Sequence, residues 1–191
     1  MKTCRVHIMG ASGAGVTSLG RALADALAAP HHDTDDYFWL PTTPPYREQR
    51  EVAERLRLMR EMFLDRPDWI LSGSLDGWGA PIVPLFDLVV FVYVPTAIRL
   101  ERLRAREARR LGTVADSDAM NPEMKEFIEW ASHYDDGSRE GRNLARHQAW
   151  LEALQCRVIR LDGTQPIPDL VGKVLSSMRE SAPGATSRER E

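Results

Sequence analysis

Apolar and polar positions fall in blocks whose period changes along the chain. Residues 4–9 form a short apolar run that reads as a first strand. Leu19, Ala22, Leu23, Ala26 and Leu27 then recur at helical spacing, which predicts an amphipathic helix to about Ala28 with Pro30 beyond it. Residues 31–36 read as a brief second strand passing into an acidic turn, and residues 37–46, rich in aromatics and prolines, as a loop. Residues 47–64 are amphipathic, with Val52, Leu56, Met59 and Phe63 on one side. A third strand is expected over residues 69–72 and a loop over 76–81. Residues 85–94 carry the strongest strand signal, nearly continuous as in a central parallel strand covered on both faces. Helical patterns follow over 96–110, 123–134 and 139–154, then a fifth strand over 157–161 and a closing helix over 169–178.

Strands alternating with helices predict an α/β fold with a mostly parallel sheet and right-handed crossovers that put helices on both faces. Ligands in such folds gather at the carboxyl ends of the strands. The small-residue and acidic motifs all lie there: residues 10–18, the group Asp33, Asp35 and Asp36, the pair Gly73 and Ser74, and the turn Asp162, Gly163, Thr164. The polar, arginine-rich stretch at 102–146 breaks the alternation as an inserted lid would. The expected organisation is one domain over 1–180, with a lid insertion at about 104–142 and a flexible tail at 181–191.

Gly10, Ala11, Ser12, Gly13, Ala14, Gly15, Val16, Thr17 and Ser18 connect the first strand to the first helix. A glycine-rich turn at such a place lets backbone N–H groups face inward, and the positive end of the helix then faces an anion. The spacing of Gly10, Gly15 and Thr17 fits the Walker A pattern, except that Val16 stands at the lysine position. Three carboxylates within four residues at 33–36 repel one another unless a cation or polar substrate sits among them, although any one of them also suits a helix N-cap.

Composition narrows the function. The chain has 191 residues, is 43% hydrophobic and 28% charged, and carries a net charge of −3, so no global field draws it to nucleic acid or membrane. Its lysines are Lys2, Lys125 and Lys173, so a cation placed on a phosphate is expected to be an arginine. Cys4 and Cys156 lie in apolar runs without metal spacing and read as buried small hydrophobes in a reducing cytoplasm. The arginine run from Arg99 to Arg110 is shared with Glu101 and Glu107, which favours a solvated face with a few lid arginines over an RNA-binding surface. His7 reads as a packed core histidine. Trp78, Trp130 and Trp150 read as packing residues.

Together these residues resemble the P-loop small-molecule kinases, the adenylate-kinase-like, shikimate-kinase-like and gluconate-kinase-like proteins. Residues 10–20, 33–36 and 71–74 are similar to bacterial proteins described only as adenylate-kinase-like or AAA-type ATPases, some of which also lack the loop lysine. The resemblance implies a three-layer αβα sandwich on a five-stranded parallel sheet of order 2-3-1-4-5, with an arginine-bearing helical lid. It implies ATP and Mg²⁺ as ligands: the loop residues would hold the phosphates, Thr17 with Asp33 the metal, and Gly163 and Thr164 would lie near the adenine. Asp33 or Asp35 would match the acidic pair, with Asp35 as orienting base. Asp33, Asp36, Gly73 and Ser74 would line the acceptor. Arg104, or Arg109, would reach the transferring phosphate from the lid. Arg139, Arg142 and Arg146 would be lid or acceptor arginines. The partners implied are ATP and a small-molecule or nucleotide acceptor, with the protein a monomer or homodimer.

Phosphoryl transfer needs positioning and charge cancellation more than covalent chemistry. Losing the lysine removes a charge-assisted contact of about 1.5–3 kcal/mol and weighs most on the transition state. Either an arginine, Arg104 or Arg109, takes its place, or phosphates bind with slow turnover, or the loop holds another anion. The expectation is γ-phosphate transfer from ATP. The alternative is a nucleotide-binding regulatory module with little transfer.

Overall fold

The computed structural model describes residues 3–111 and 122–180. Strand β1 (Cys4–Gly10) is the middle of a five-stranded sheet completed by β2 (His31–Asp33), β3 (Asp68–Ser72), β4 (Leu88–Tyr93) and β5 (Arg157–Asp162), in the order β2-β3-β1-β4-β5. Every pairing is parallel. This is the sheet that the resemblance implied.

Side chains alternate across β1 and divide the core into two layers. Val6 and Ile8 point to one face, where they join Ile70, Val90, Val92, Leu19, Leu23, Leu170 and Val174. That face is covered by α1 (Val16–Leu27) and α7 (Ile167–Glu180). Met9 points to the other face with Trp69, Leu71, Val89 and Phe91. There the cover comes from α3 (Val52–Met59), the π-helical turn Arg60–Leu64 that continues it, the 3₁₀ segment Ala80–Leu85, and α6 (Leu144–Glu152). A smaller cluster of Leu103, Ile128 and Ala131 joins α4 (Thr96–Leu111) to α5 (Pro122–Ser132).

Several boundaries differ from those the sequence suggests, each for a local reason. The acidic turn becomes a short helix, α2 (Thr34–Phe38), because Asp33 accepts the Asp35 N–H and caps it. Helix α3 begins at Val52 rather than at 47, since Gln49 bridges to Trp39 and Arg50 donates to the carbonyls of Tyr37 and Trp39. Helix α6 begins at Leu144 because Asn143 caps it through the Arg146 N–H. Arg139 and Arg142 therefore lie on the segment leading into α6, not on a helix. Strand β4 begins after Asp87, whose carboxylate accepts the Arg5 N–H and the Thr3 hydroxyl. The expected tail at 181–191, and residues 112–121 of the expected lid stretch, lie outside the described residues. Among the described residues no helix is long and apolar enough to cross a membrane.

Candidate functional site

The turn from β1 into α1 is shaped by its glycines. Gly13 and Gly15 hold φ of 83° and 91°, which a side chain resists. A Cβ on Gly10 would stand 2.5 Å from the Val92 carbonyl, and one on Gly13 2.7 Å from the Arg99 carbonyl. The loop bonds itself once, from the Ala14 N–H to the Ala11 carbonyl. The amides of Gly13, Gly15, Val16, Thr17 and Ser18 have no backbone acceptor among the described residues. A row of free amides at the N-terminus of a twelve-residue helix is a concentrated source of positive potential. Val16, at the lysine position, packs against the apolar core beside Gly10. Gly163 closes the other side: a Cβ there would meet Val92, Val94 and the Ala14 carbonyl. Thr164 is exposed and bonds to Asp162.

The ends of β2 and β3 bring the acidic group to this loop. The Thr17 hydroxyl donates to Asp33 Oδ2 at 2.8 Å, and the Ser72 hydroxyl to the same oxygen at 3.2 Å. Gly73, at φ 117°, sits against Thr34, whose hydroxyl accepts the Ser74 N–H. Asp35 keeps an exposed edge, yet enough protein surrounds its carboxyl for desolvation to raise its pKa first. The Asp33 charge raises it further, and Arg142 and Arg106 oppose the shift. Asp36 is exposed on α2 and also raised, by burial and then by Asp33. Among the described residues no three His, Cys, Asp or Glu side chains converge as a metal site. What remains is one carboxylate with the hydroxyls of Thr17 and Ser72 upon it, the sparse oxygen set with which Mg²⁺ binds beside phosphates and water.

The arginines that the resemblance named lie in different surroundings. Arg104 is exposed, with no hydrogen bond or ion pair among the described residues, and Arg109 is exposed and bonded back to the Ala105 carbonyl. Arg139 faces Glu129 at 4.0 Å. It is Arg142 that turns inward: its Nη2 donates to Ser12 Oγ at 3.2 Å, and its charge acts on Asp35. Burial lowers its pKa, while Asp35 and Asp76 raise it.

From α4 come Arg99, Arg102 and Arg106, spaced so that all three share one side of the helix. Arg102 donates to the Gly163 carbonyl at 3.0 Å, with Nη1 3.9 Å from where a Cβ on Gly15 would stand. Arg99 is 0% exposed, contrary to the solvated face expected for this run. It donates to Ser12, Val94 and Ala131 carbonyls, to the Thr96 hydroxyl and to Asp135. The sequence held a signal for this: Arg99, Leu103 and Glu107 recur every four residues, and all three are buried. Arg55 was also overlooked. It is 5% exposed, lies over the rings of Phe38 and Trp78, and has no carboxylate within ion-pair distance among the described residues.

No family profile matches the sequence. Among curated proteins, the "Uncharacterized protein YqaC" of Bacillus subtilis (strain 168) is 41% identical over 171 residues, covering 89% of this chain and 94% of that protein. Among solved structures, a shikimate kinase from Acinetobacter baumannii in complex with shikimate superposes with a TM-score of 0.59 at 18% identity, covering 95% of this chain and 96% of that one. A gluconokinase from Sinorhizobium meliloti 1021 gives 0.56 at 17% identity, over 94% and 93%. The shikimate kinase of Aquifex aeolicus vf5 gives 0.52 at 15%, over 94% and 99%. The fold is that of the P-loop kinases.

Proposed function

The chain belongs to the family of Bacillus subtilis YqaC, and we propose that it binds ATP on the Gly10–Ser18 loop and transfers the γ-phosphate to a small-molecule acceptor. The observation that carries this reading is the contact of Thr17 with Asp33 at the mouth of the row of free amides. Thr17 and Asp33 would hold Mg²⁺, which supplies charge neutralisation for the phosphates. Arg142 stands between the loop and Asp35 and supplies the charge that Val16 does not. Arg102 and Arg106 extend that positive wall along α4. Asp35 takes the proton of the acceptor hydroxyl as its oxygen bonds to the γ-phosphorus and the bond to the bridging oxygen of ADP breaks. In this reading the described residues up to 180 act as one unit, and those within the stretch at about 104–142 belong to the lid.

Isothermal titration with ATP·Mg²⁺, followed by an ADP-release assay over a panel of hydroxyl and phosphate acceptors, tests the proposal. Saturable binding with acceptor-dependent ADP release supports it. Binding without transfer points to the regulatory-module reading, and no binding removes both.

A further inference from the structure

On the sheet face opposite α1 and α7, a cavity of about 420 Å³ lies between the segment after β3 and α6. That volume is in the range of small-molecule pockets. Trp78 and Trp150 line it with apolar Met9, Leu75 and Val83. Its charges cancel: among the described residues Arg146 is the only cation in the lining and Asp76 the only carboxylate, and they pair at 2.9 Å. The cavity adjoins the site just described, because Ser74 lines it and the Asp76 charge acts on Arg142.

Two imidazoles complete the lining, and their partners fix their tautomers. His7 Nδ1 lies 3.1 Å from the Leu71 carbonyl, which only accepts, so Nδ1 carries the proton and Nε2 is a bare acceptor. That Nε2 has no partner among the described residues. His147 Nδ1 lies 2.7 Å from the Tyr134 hydroxyl. The hydroxyl has no other acceptor among the described residues, so it donates, and His147 keeps its proton on Nε2, again without a partner. Burial lowers both imidazole pKa values to about 4, so both rings are neutral near pH 7. One unpaired acceptor and one unpaired donor thus line a charge-cancelled, tryptophan-lined cavity. Sugar acids would bring a carboxylate to a lining whose cation is already paired, and Arg142, whose charge also reaches His147, is answered by Asp35 and Asp76. A flat neutral heterocycle with a donor next to an acceptor satisfies both imidazoles and stacks on indole.

We propose that this cavity takes the head group of the acceptor, and that the head group is a neutral nitrogen heterocycle of nucleobase size, hydrogen-bonded by His7 and His147. Its being the acceptor's pocket rests on the kinase-type reading above; its preference for a heterocycle does not.

The test is isothermal titration of the full chain with adenosine, guanosine, cytidine and uridine, and with gluconate and shikimate, in the presence of saturating AMPPNP·Mg²⁺. The expected result is saturable binding of at least one nucleoside, about ten-fold or more tighter than either acid. Ala80 lines the cavity and is exposed, so Ala80→Trp puts an indole into the cavity without removing a buried side chain. That variant should weaken nucleoside binding about ten-fold or more and leave AMPPNP·Mg²⁺ binding as it was. His147→Gln, which keeps a donor, should bind better than His147→Leu. The proposal is overturned if no nucleoside binds, if an acid binds tighter, if Ala80→Trp has no effect, or if a nucleoside binds only when the nucleotide analogue is omitted. Failure of AMPPNP·Mg²⁺ itself to bind removes the kinase reading, and titration of the nucleosides alone still decides the cavity.

Discussion

Arg142 donates to Ser12 Oγ at 3.2 Å, joining residues 130 apart in sequence across the mouth of the Gly10–Ser18 loop. The contact puts a guanidinium at the loop whose lysine position holds Val16. Arg142→Ala should therefore lose a charge-assisted contact of about 1.5–3 kcal/mol, or roughly ten- to a hundred-fold in affinity for ATP·Mg²⁺. Val16→Lys alone should add little, because the cation is already supplied. In the Arg142→Ala background it should restore much of the lost affinity. A double-mutant cycle by titration calorimetry reads this coupling directly, and purely additive effects would remove Arg142 from the role.

The Thr17 hydroxyl donates to the Asp33 carboxylate at 2.8 Å, and in the proposed function this pair of oxygen groups would hold Mg²⁺. Thr17→Val should lower ATP affinity about ten-fold when Mg²⁺ is present and change it little in excess chelator. Thr17→Ser should stay near wild type. Equal losses with and without Mg²⁺ would assign Thr17 to the phosphates or to packing instead.

The parallel sheet was legible because β1, β3 and β4 are apolar runs that end in small or polar residues, and a parallel sheet buries such runs on both faces, while the order of its strands came only from the resemblance to the P-loop kinases. Gly10, Gly15 and Thr17 marked the loop because their spacing is set by backbone geometry, which sequence records. Asp33 was legible both as a cap and as a carboxylate of the site, and it serves the first role while touching Thr17. The arginines were legible only in part: Arg142 was among the lid or acceptor arginines of the resemblance, whereas Arg99 read as part of a solvated face and is buried. Arginine recurs so often between Arg99 and Arg110 that residue type carries no information there; only helical phase does. Phase puts Arg99 in the stripe of Leu103 and leaves Arg104 outside. Arg142 gave no such signal, since its position depends on the turn before α6 and on contacts distant in sequence. The cavity near α6 was hidden for the same reason: His7 and His147 meet only in the folded chain.

His7 and His147 both have pKa values lowered from 6.5 to about 4, first by burial. Between those two values the unfolded chain binds protons that the folded chain refuses, so stability is full above pH 6.5 and falls as pH drops toward 4. Each ring adds up to about 1.4 kcal/mol per pH unit to that slope. Asp35 and Asp36, raised by burial, act in the opposite sense closer to the ordinary carboxylate range. Urea unfolding at pH 7.5 and pH 5.5 should show the loss, and His147→Gln should shrink the difference. An unchanged difference would mean that the ring becomes charged without cost in the folded chain.

Arg99 links the loop to the rest of the molecule. It is wholly buried, and its hydrogen bonds reach Ser12 of the loop, Val94 at the end of β4, Ala131 of α5 and Asp135. Its backbone carbonyl also stands where a Cβ on Gly13 would go. A buried cation held by carbonyls and one carboxylate is costly to disturb, because removing it leaves those acceptors without a donor. Arg99→Met keeps the volume and removes the donors, and should cost about 3–5 kcal/mol in urea unfolding. Arg99→Lys keeps the charge but not the fork, and should recover only part of it. The same logic separates Arg99 from Arg102. Arg102 is only half-buried and bonds one carbonyl, so Arg102→Met should leave stability within about 1 kcal/mol of wild type while weakening ATP binding. If Arg102→Met instead unfolds the chain and Arg99→Met does not, the division between an arginine that supports the loop and one that faces its ligand is wrong.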